Sequence, residues 1–259
     1  MVTTDYTKGS VCWIDLGSPD TAAAAAFYEA TFGWSLQSAG PDAGGYGFFQ
    51  QDGDTVAAIG PLTEEGAKSG WTVYFSTPDA AATAKGVEQG GGVVRVPPMD
   101  VMAAGSMGQF TDPAGGQFAV WQPGETKGLD AVGEDNTFVW AELHTDDQKA
   151  TVGFYQSLFD WRAGDPGIPG VEYTVLMTES GGDDPAAAFG GVAGVHPGMD
   201  AGWLVYFAVA DTDATVAAAT AAGGTVVMPA DDVPTVGRIA IVADPFGATF
   251  ALLKPEPRQ

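Results

Sequence analysis

The sequence predicts an α+β protein of four βαβββ modules, arranged as two tandem domains of one design. Three observations predict it. The chain repeats itself internally, each copy sets a helix directly after a strand, and each copy closes with a hairpin around an Asp-Pro turn.

The repeat is legible residue by residue. "CWIDLGSPDTAAAAAFYEATFGW" (12–34) lies over "VWAELHTDDQKATVGFYQSLFDW" (139–161) without a gap, matching Trp13 to Trp140, Phe27 to Phe154, Tyr28 to Tyr155 and Trp34 to Trp161. Further on, "GWTVYFSTPD" (70–79) lies over "GWLVYFAVAD" (202–211), and "TDPAGGQFAVWQP" (111–123) over "ADPFGATFALLKP" (243–255). The register changes between these blocks, so the second copy carries a short insertion, expected around 190–200. The polar stretch "PGETKGLDAVGEDN" reads as a linker. The expected division is a first domain over 1–122, a linker over 123–136 and a second domain over 137–259.

Within a copy, a strand over about 11–17 leads to a helix capped by Ser18 before Pro19, or by Thr145 in the second copy. Phe27, Tyr28 and Phe32, like Phe154, Tyr155 and Phe159, recur at helical spacing, and Gly33 ends the first helix. Strands follow near 46–50 and 55–60, with counterparts near 171–178 and 186–193. A long strand, "WTVYFST" or "WLVYFAV", leads to an Ala-rich helix that starts at Asp79 or Asp211 and stops at the glycines of 90–92 or 223–224. The hairpins turn at Asp112-Pro113-Ala114-Gly115 and Asp244-Pro245-Phe246-Gly247.

Composition narrows the partners. Ten basic against 33 acidic residues give 259 residues a net charge of −23. Such a field repels nucleic acid and anionic membranes and attracts cations, aminated small molecules included. The same acidity also serves solubility alone. Cys12 has no cysteine partner and is expected as a buried thiol. The N-terminus lacks a signal-peptide pattern and no apolar run is long enough for a membrane helix, so a cytoplasmic protein is expected.

The strand, the "FY" helix, the "F-G-W" that follows and the "D-P-x-G" hairpin resemble the vicinal oxygen chelate superfamily of glyoxalases, extradiol dioxygenases and bleomycin-resistance proteins. The resemblance covers both copies. It implies tandem glyoxalase-like domains with U-shaped mixed sheets, whose troughs hold a divalent metal in the enzymes. The positions matching the family's ligands are Trp13, Thr72 and Ala119 in the first copy, and Trp140, Leu204 and Ala251 in the second. None carries imidazole, carboxylate or thiolate, so no metal and no cofactor are expected. The two histidines, His144 and His196, are expected to be exposed and not to bind metal.

Positions sharing strand parity with those six are expected to line the troughs. In the first copy these are Trp13, Asp15, Thr72, Tyr74, Met107, Gln109 and Trp121, with Tyr46 and Phe48 from the next strand. In the second they are Trp140, Glu142, Leu204, Tyr206 and Tyr173. An apolar and aromatic lining with a few polar groups suits a small molecule, and equally suits a trough filled as ordinary core. A carboxylate is costly to bury unpaired, yet Asp15 and Glu142 recur beside a tryptophan in both copies.

The favoured expectation is a metal-free protein that sequesters an aromatic or cationic metabolite, as the bleomycin-resistance type does. The resemblance extends to two-module members of antibiotic pathways, including drug-binding accessories of anthracycline biosynthesis. The alternatives are a glyoxalase-like lyase, an accessory hydroxylase or oxygenase, or a regulatory scaffold. A monomer suffices, and a homodimer stays open.

Overall fold

A computed structural model describes residues 2–167, 172–181, 187–195 and 199–256. The first repeat runs β1 (Val11–Ser18), α1 (Thr21–Phe32), β2 (Ser35–Ser38), β3 (Gly47–Gln51), β4 (Asp54–Pro61), β5 (Gly70–Ser76), α2 (Ala80–Gln89), β6 (Val93–Val101), β7 (Gly105–Thr111) and β8 (Gln117–Pro123). The second runs β9 (Phe138–His144), α3 (Gln148–Phe159), β10 (Arg162–Gly164), β11 (Tyr173–Met177), β12 (Ala188–Ala193), β13 (Gly202–Ala208), α4 (Thr212–Ala221), β14 (Thr225–Val233), β15 (Gly237–Ala243) and β16 (Thr249–Pro255). Four βαβββ modules result. Each repeat forms one eight-stranded sheet, in the orders β2-β3-β4-β1-β5-β8-β7-β6 and β10-β11-β12-β9-β13-β16-β15-β14. The sheets are mixed, because β1/β4, β5/β8, β9/β12 and β13/β16 run parallel.

Three local expectations need correction. The helix caps are Asp20 and Asp147, whose carboxylates accept from Ala23 N and Ala150 N at 3.0 Å each. Ser18 and Thr145 stand two residues earlier, where their hydroxyls accept from the Asp20 and Asp147 N–H groups at 3.3 Å. They shape the turn into the helix while the aspartates cap it. Gly33 does end α1 in the left-handed conformation, with φ 77°, and Asp160 takes that place after α3 with φ 58°.

The second correction adds the edge strands β2 and β10. Both are short and largely exposed, so neither carries the apolar alternation by which a strand is read from sequence. The third moves the insertion. Asp52-Gly53 joins β3 to β4, whereas residues 178–187 join β11 to β12, so the extra residues lie in that connection and not at 190–200.

The chain forms two compact units, each drawn from both repeats. One comprises Met1–Trp13, Thr72–Gly128 and Trp140–Leu204, the other Ile14–Trp71, Leu129–Val139 and Val205–Gln259. In the first unit α2 packs against α3, and Phe75, fully buried, is surrounded by Phe118, Tyr155, Phe159, Trp161, Phe189 and Trp203. Tyr155 stacks on Trp161 with centroids 5.2 Å apart. In the second unit α1 packs against α4, and Tyr28 stacks on Trp34 at 5.8 Å beside Phe49, Trp71 and Phe250. Buried aromatics of this size dominate core energetics.

These cores explain the recurring motifs. In the first unit Trp203 Nε1 donates to the Tyr155 hydroxyl at 2.9 Å, and that hydroxyl donates to Asp112 Oδ2 at 2.9 Å. Asp112 Oδ1 accepts from Ala114 N at 2.9 Å and Gly116 N at 2.8 Å. The second unit repeats the pattern: Trp71 Nε1 to the Tyr28 hydroxyl at 3.1 Å, and that hydroxyl to Asp244 Oδ2 at a looser 3.4 Å. The helix tyrosine of one repeat thus holds the hairpin aspartate of the other. Burial, and then the facing aspartate, push both phenols well above the ordinary tyrosine range.

Asp244 is itself pushed up by burial, against the opposing pull of the Ala248 and Phe246 N–H groups. A folded pKa above the unfolded one favours the fold at low pH, and that contribution fades as pH rises through the folded value. Asp244→Asn is therefore expected to flatten the fall in melting temperature as pH rises above the ordinary 3.8. Thermal melts of both proteins across pH 3 to 7 check it; parallel profiles refute it.

Candidate functional site

The alternation of β1 puts Cys12, Ile14 and Leu16 on a buried face and Trp13, Asp15 and Gly17 on a less buried one. In the first unit Cys12, Tyr74 and Ala119 form a buried cluster, against which Tyr6, Trp13, Met107 and Trp121 pack while partly exposed. Strand register builds it, pairing Tyr74 and Gln109 with Ala119 and Met107 with Trp121. The Trp121 indole donates to Thr126 O at 2.9 Å, which fixes its ring. The Cys12 thiol lies 3.5 Å from Tyr74 O, and burial pushes its pKa up, so it stays an unreactive thiol. Thr72 and Gln109 are half-buried in the same unit. The outcome is an indole-rich surface at the position where Trp13 stands.

In the second unit the Tyr46 hydroxyl donates to Asp15 Oδ2 at 3.0 Å, and Tyr46 meets Phe48 edge-on at 6.0 Å. Asp15, Tyr46 and Phe48 are all half-buried.

The second repeat builds a longer chain, within the first unit. Trp140 Nε1 donates to the Tyr173 hydroxyl at 3.0 Å, and Tyr173 donates to Glu142 Oε2 at 2.7 Å. Glu142 Oε1 meets His144 Nε2 at 2.7 Å. Burial, then the Glu142 charge, hold the Tyr173 phenol far above its ordinary range, while the Trp140 N–H pulls the other way. Gly191 pairs with Glu142 across β9 and β12, and a Cβ there would overlap the Tyr173 ring and hydroxyl. Glycine leaves the room in which the phenol lies.

His144 is buried, against the expectation that it is exposed. A strand position two residues from Glu142 shares its face, so the signal was present, but a lone histidine gives no measure of burial. His196 lies outside the described residues. Leu204, Tyr206, Ile241 and Ala251 are all buried, as core side chains are. Glu142 is engaged by Tyr173 and His144, whereas Trp140 and Tyr173 are half-buried.

The donor set does not fit the metal that the family resemblance implies. Trp13, Thr72 and Ala119, like Trp140, Leu204 and Ala251, offer no imidazole, carboxylate or thiolate. Among the described residues no group of three His, Cys, Asp or Glu side chains could hold a metal ion. No helix among them is long and apolar enough to cross a membrane.

Comparison with known proteins matches residues 10–120 and 137–252 to the Glyoxalase/Bleomycin resistance protein/Dioxygenase superfamily. The chain is 40% identical over 266 residues to the anthracycline biosynthesis protein DnrV of Streptomyces peucetius, covering 97% of this chain and 95% of that protein. It is 38% identical over 262 residues to the putative glyoxylase CFP32 of Mycobacterium tuberculosis, covering 98% of each. Among solved structures, 2,2',3-trihydroxybiphenyl 1,2-dioxygenase from Sphingomonas wittichii aligns with a TM-score of 0.64 at 15% identity, over 96% of this chain and 91% of that one. The Mn(II)-bound glyoxalase from Novosphingobium aromaticivorans aligns with a TM-score of 0.61 at 17% identity, over 97% and 86%. Those two likenesses establish the fold. With both repeats matched and relatives of this identity along its whole length, the chain belongs to the glyoxalase/bleomycin resistance protein/dioxygenase superfamily.

Proposed function

We propose that the protein binds a small aromatic metabolite, neutral or cationic, without a metal, as an accessory of antibiotic biosynthesis or resistance. One observation carries the reading. Trp13, at the position of the family's first ligand, packs partly exposed with Met107 and Trp121 over Cys12, Tyr74 and Ala119. Indole faces stack flat aromatic rings and attract cations, methionine adapts to irregular shapes, and the net charge of −23 draws cationic ligands. The likeness to a protein named for anthracycline biosynthesis supports an anthracycline-like ligand. Sequestration of this kind needs only one chain in the cytoplasm.

A basic anthracycline is expected to quench tryptophan fluorescence saturably. Trp13→Ala removes one stacking wall and should weaken binding about tenfold, the equivalent of roughly 1.4 kcal/mol. A titration that never saturates, or an unchanged Kd in the variant, refutes the reading. An enzymatic reading, as a lyase or an accessory hydroxylase or oxygenase, draws on a different observation, the Glu142 chain of the second repeat.

A further inference from the structure

We infer that Gln109 determines the specificity of the ligand face in the first unit, selecting a flat aromatic ring whose edge carries an N–H beside a C=O, as in a fused lactam. The inference rests on the proposed stacking site and names the class of ligand that site takes. The duplication supplies the contrast. Gln109 pairs with Ala119 across β7 and β8, and Ile241 pairs with Ala251 at the matching place in the second repeat. Thr72 in β5 likewise matches Leu204 in β13. Leu204 and Ile241 are buried and apolar, so the fold itself asks for no polar group at either position. The first repeat has an amide and a hydroxyl there, both half-buried.

Strand alternation fixes the face to which they belong. Phe110 packs on Phe118 with centroids 5.4 Å apart, and Phe118 on Phe75 at 6.1 Å, so these rings hold the core side of β7, β8 and β5. Gln109, Ala119 and Thr72 alternate with them and share the other side, where Trp13, Met107 and Trp121 lie against Tyr74 and Ala119. The cross-strand neighbours of Gln109 are Val96 and Ala119, both apolar. Among the described residues, neither the Gln109 amide nor the Thr72 hydroxyl has a hydrogen-bond partner. Open to water, both are satisfied. Under a ring that displaces the water, each needs its partner from the ligand, and a ligand without one is disfavoured.

The two groups differ in what they demand. A hydroxyl turns to either kind of partner. A primary amide holds a donor and an acceptor side by side in one plane, and turning it over keeps the pair. Its complement is an acceptor beside a donor on the edge of a ring, the match by which glutamine reads adenine. A cyclic amide fused to an aromatic system presents that edge while its faces lie on the indoles. A bare aromatic hydrocarbon presents nothing to the amide.

The test titrates the full chain with phenanthridinone, a neutral three-ring lactam, and with its N-methyl derivative, which keeps the rings and the C=O but lacks the N–H. Tryptophan quenching reports both. The wild-type chain is expected to bind the lactam about tenfold or more tightly, the discrimination of a bidentate amide pair. Gln109→Leu brings in an apolar side chain of the kind the second repeat carries, and should level the two affinities by weakening the lactam. Gln109→Met, of similar length and with neither N–H nor C=O, is the second variant if near-UV circular dichroism shows that the leucine variant misfolds. Equal Kd values for the two probes on the wild-type chain, or a preference that survives substitution, overturn the assignment and leave the stacking site standing. Binding of the basic anthracycline with binding of neither probe overturns it in the same way. Failure of all three compounds to bind removes the stacking site itself, and this inference with it.

Discussion

Asp112→Ala is expected to lower stability by about 3 kcal/mol or more, because it strands buried donors that cost about 1–3 kcal/mol each. Asp112 is 3% exposed, and its two oxygens accept from Ala114 N, Gly116 N and the Tyr155 hydroxyl. Alanine returns nothing to any of the three. Asp112→Asn keeps an oxygen for the two backbone donors and should cost distinctly less. Urea denaturation of the three proteins orders them wild type, Asn, Ala. A loss below about 1 kcal/mol for Ala would mean that the tyrosine and the turn find other partners.

Gly191→Ala should cost about 1–3 kcal/mol from overpacking alone. The added methyl overlaps the Tyr173 ring and hydroxyl, and Gly191 sits in β12 opposite Glu142. The phenol must move, which also breaks its bonds to Glu142 and Trp140. Chemical denaturation measures the first loss, and the ultraviolet difference spectrum of the displaced tyrosine measures the second. A variant with wild-type stability and spectrum would show that the strand yields instead. Gly53, where an added Cβ meets nothing within 4 Å, offers a contrast in crowding, though its positive φ of 98° carries its own strain.

The architecture was legible because both of its signals are written twice. A strand leading directly into a Phe-Tyr helix marked β1 and β9, and the Asp-Pro turns marked the hairpins. The aspartates at 79 and 211 were readable as caps, whereas Asp20 and Asp147 were hidden behind an equally plausible Ser or Thr two residues earlier. β2 and β10 escaped because exposed edge strands carry no periodic apolar pattern. The candidate site was legible only as a parity argument. That argument placed Trp13 and Asp15 on one face of β1, where burial alternates. It could not foresee that β9 buries Ala141 through His144 without alternation. Nor could it foresee that Tyr173 reaches both Trp140 and Glu142, since that contact depends on a missing side chain at Gly191.

The composition of the compact units has a consequence for synthesis on the ribosome. Each unit needs residues from before the linker and residues from well beyond it, up to Leu204 in one and Gln259 in the other. A nascent chain that has emerged only through the first repeat therefore holds part of both units and completes neither. Tyr28 waits for Asp244, and Asp112 waits for Tyr155. Closure of such distant segments is slow, so the aromatic surfaces around Phe75 and Tyr28 stay uncovered until late in translation. The helper this chain most needs is one that shields a half-made protein, and its demand should grow when elongation is slowed after the linker.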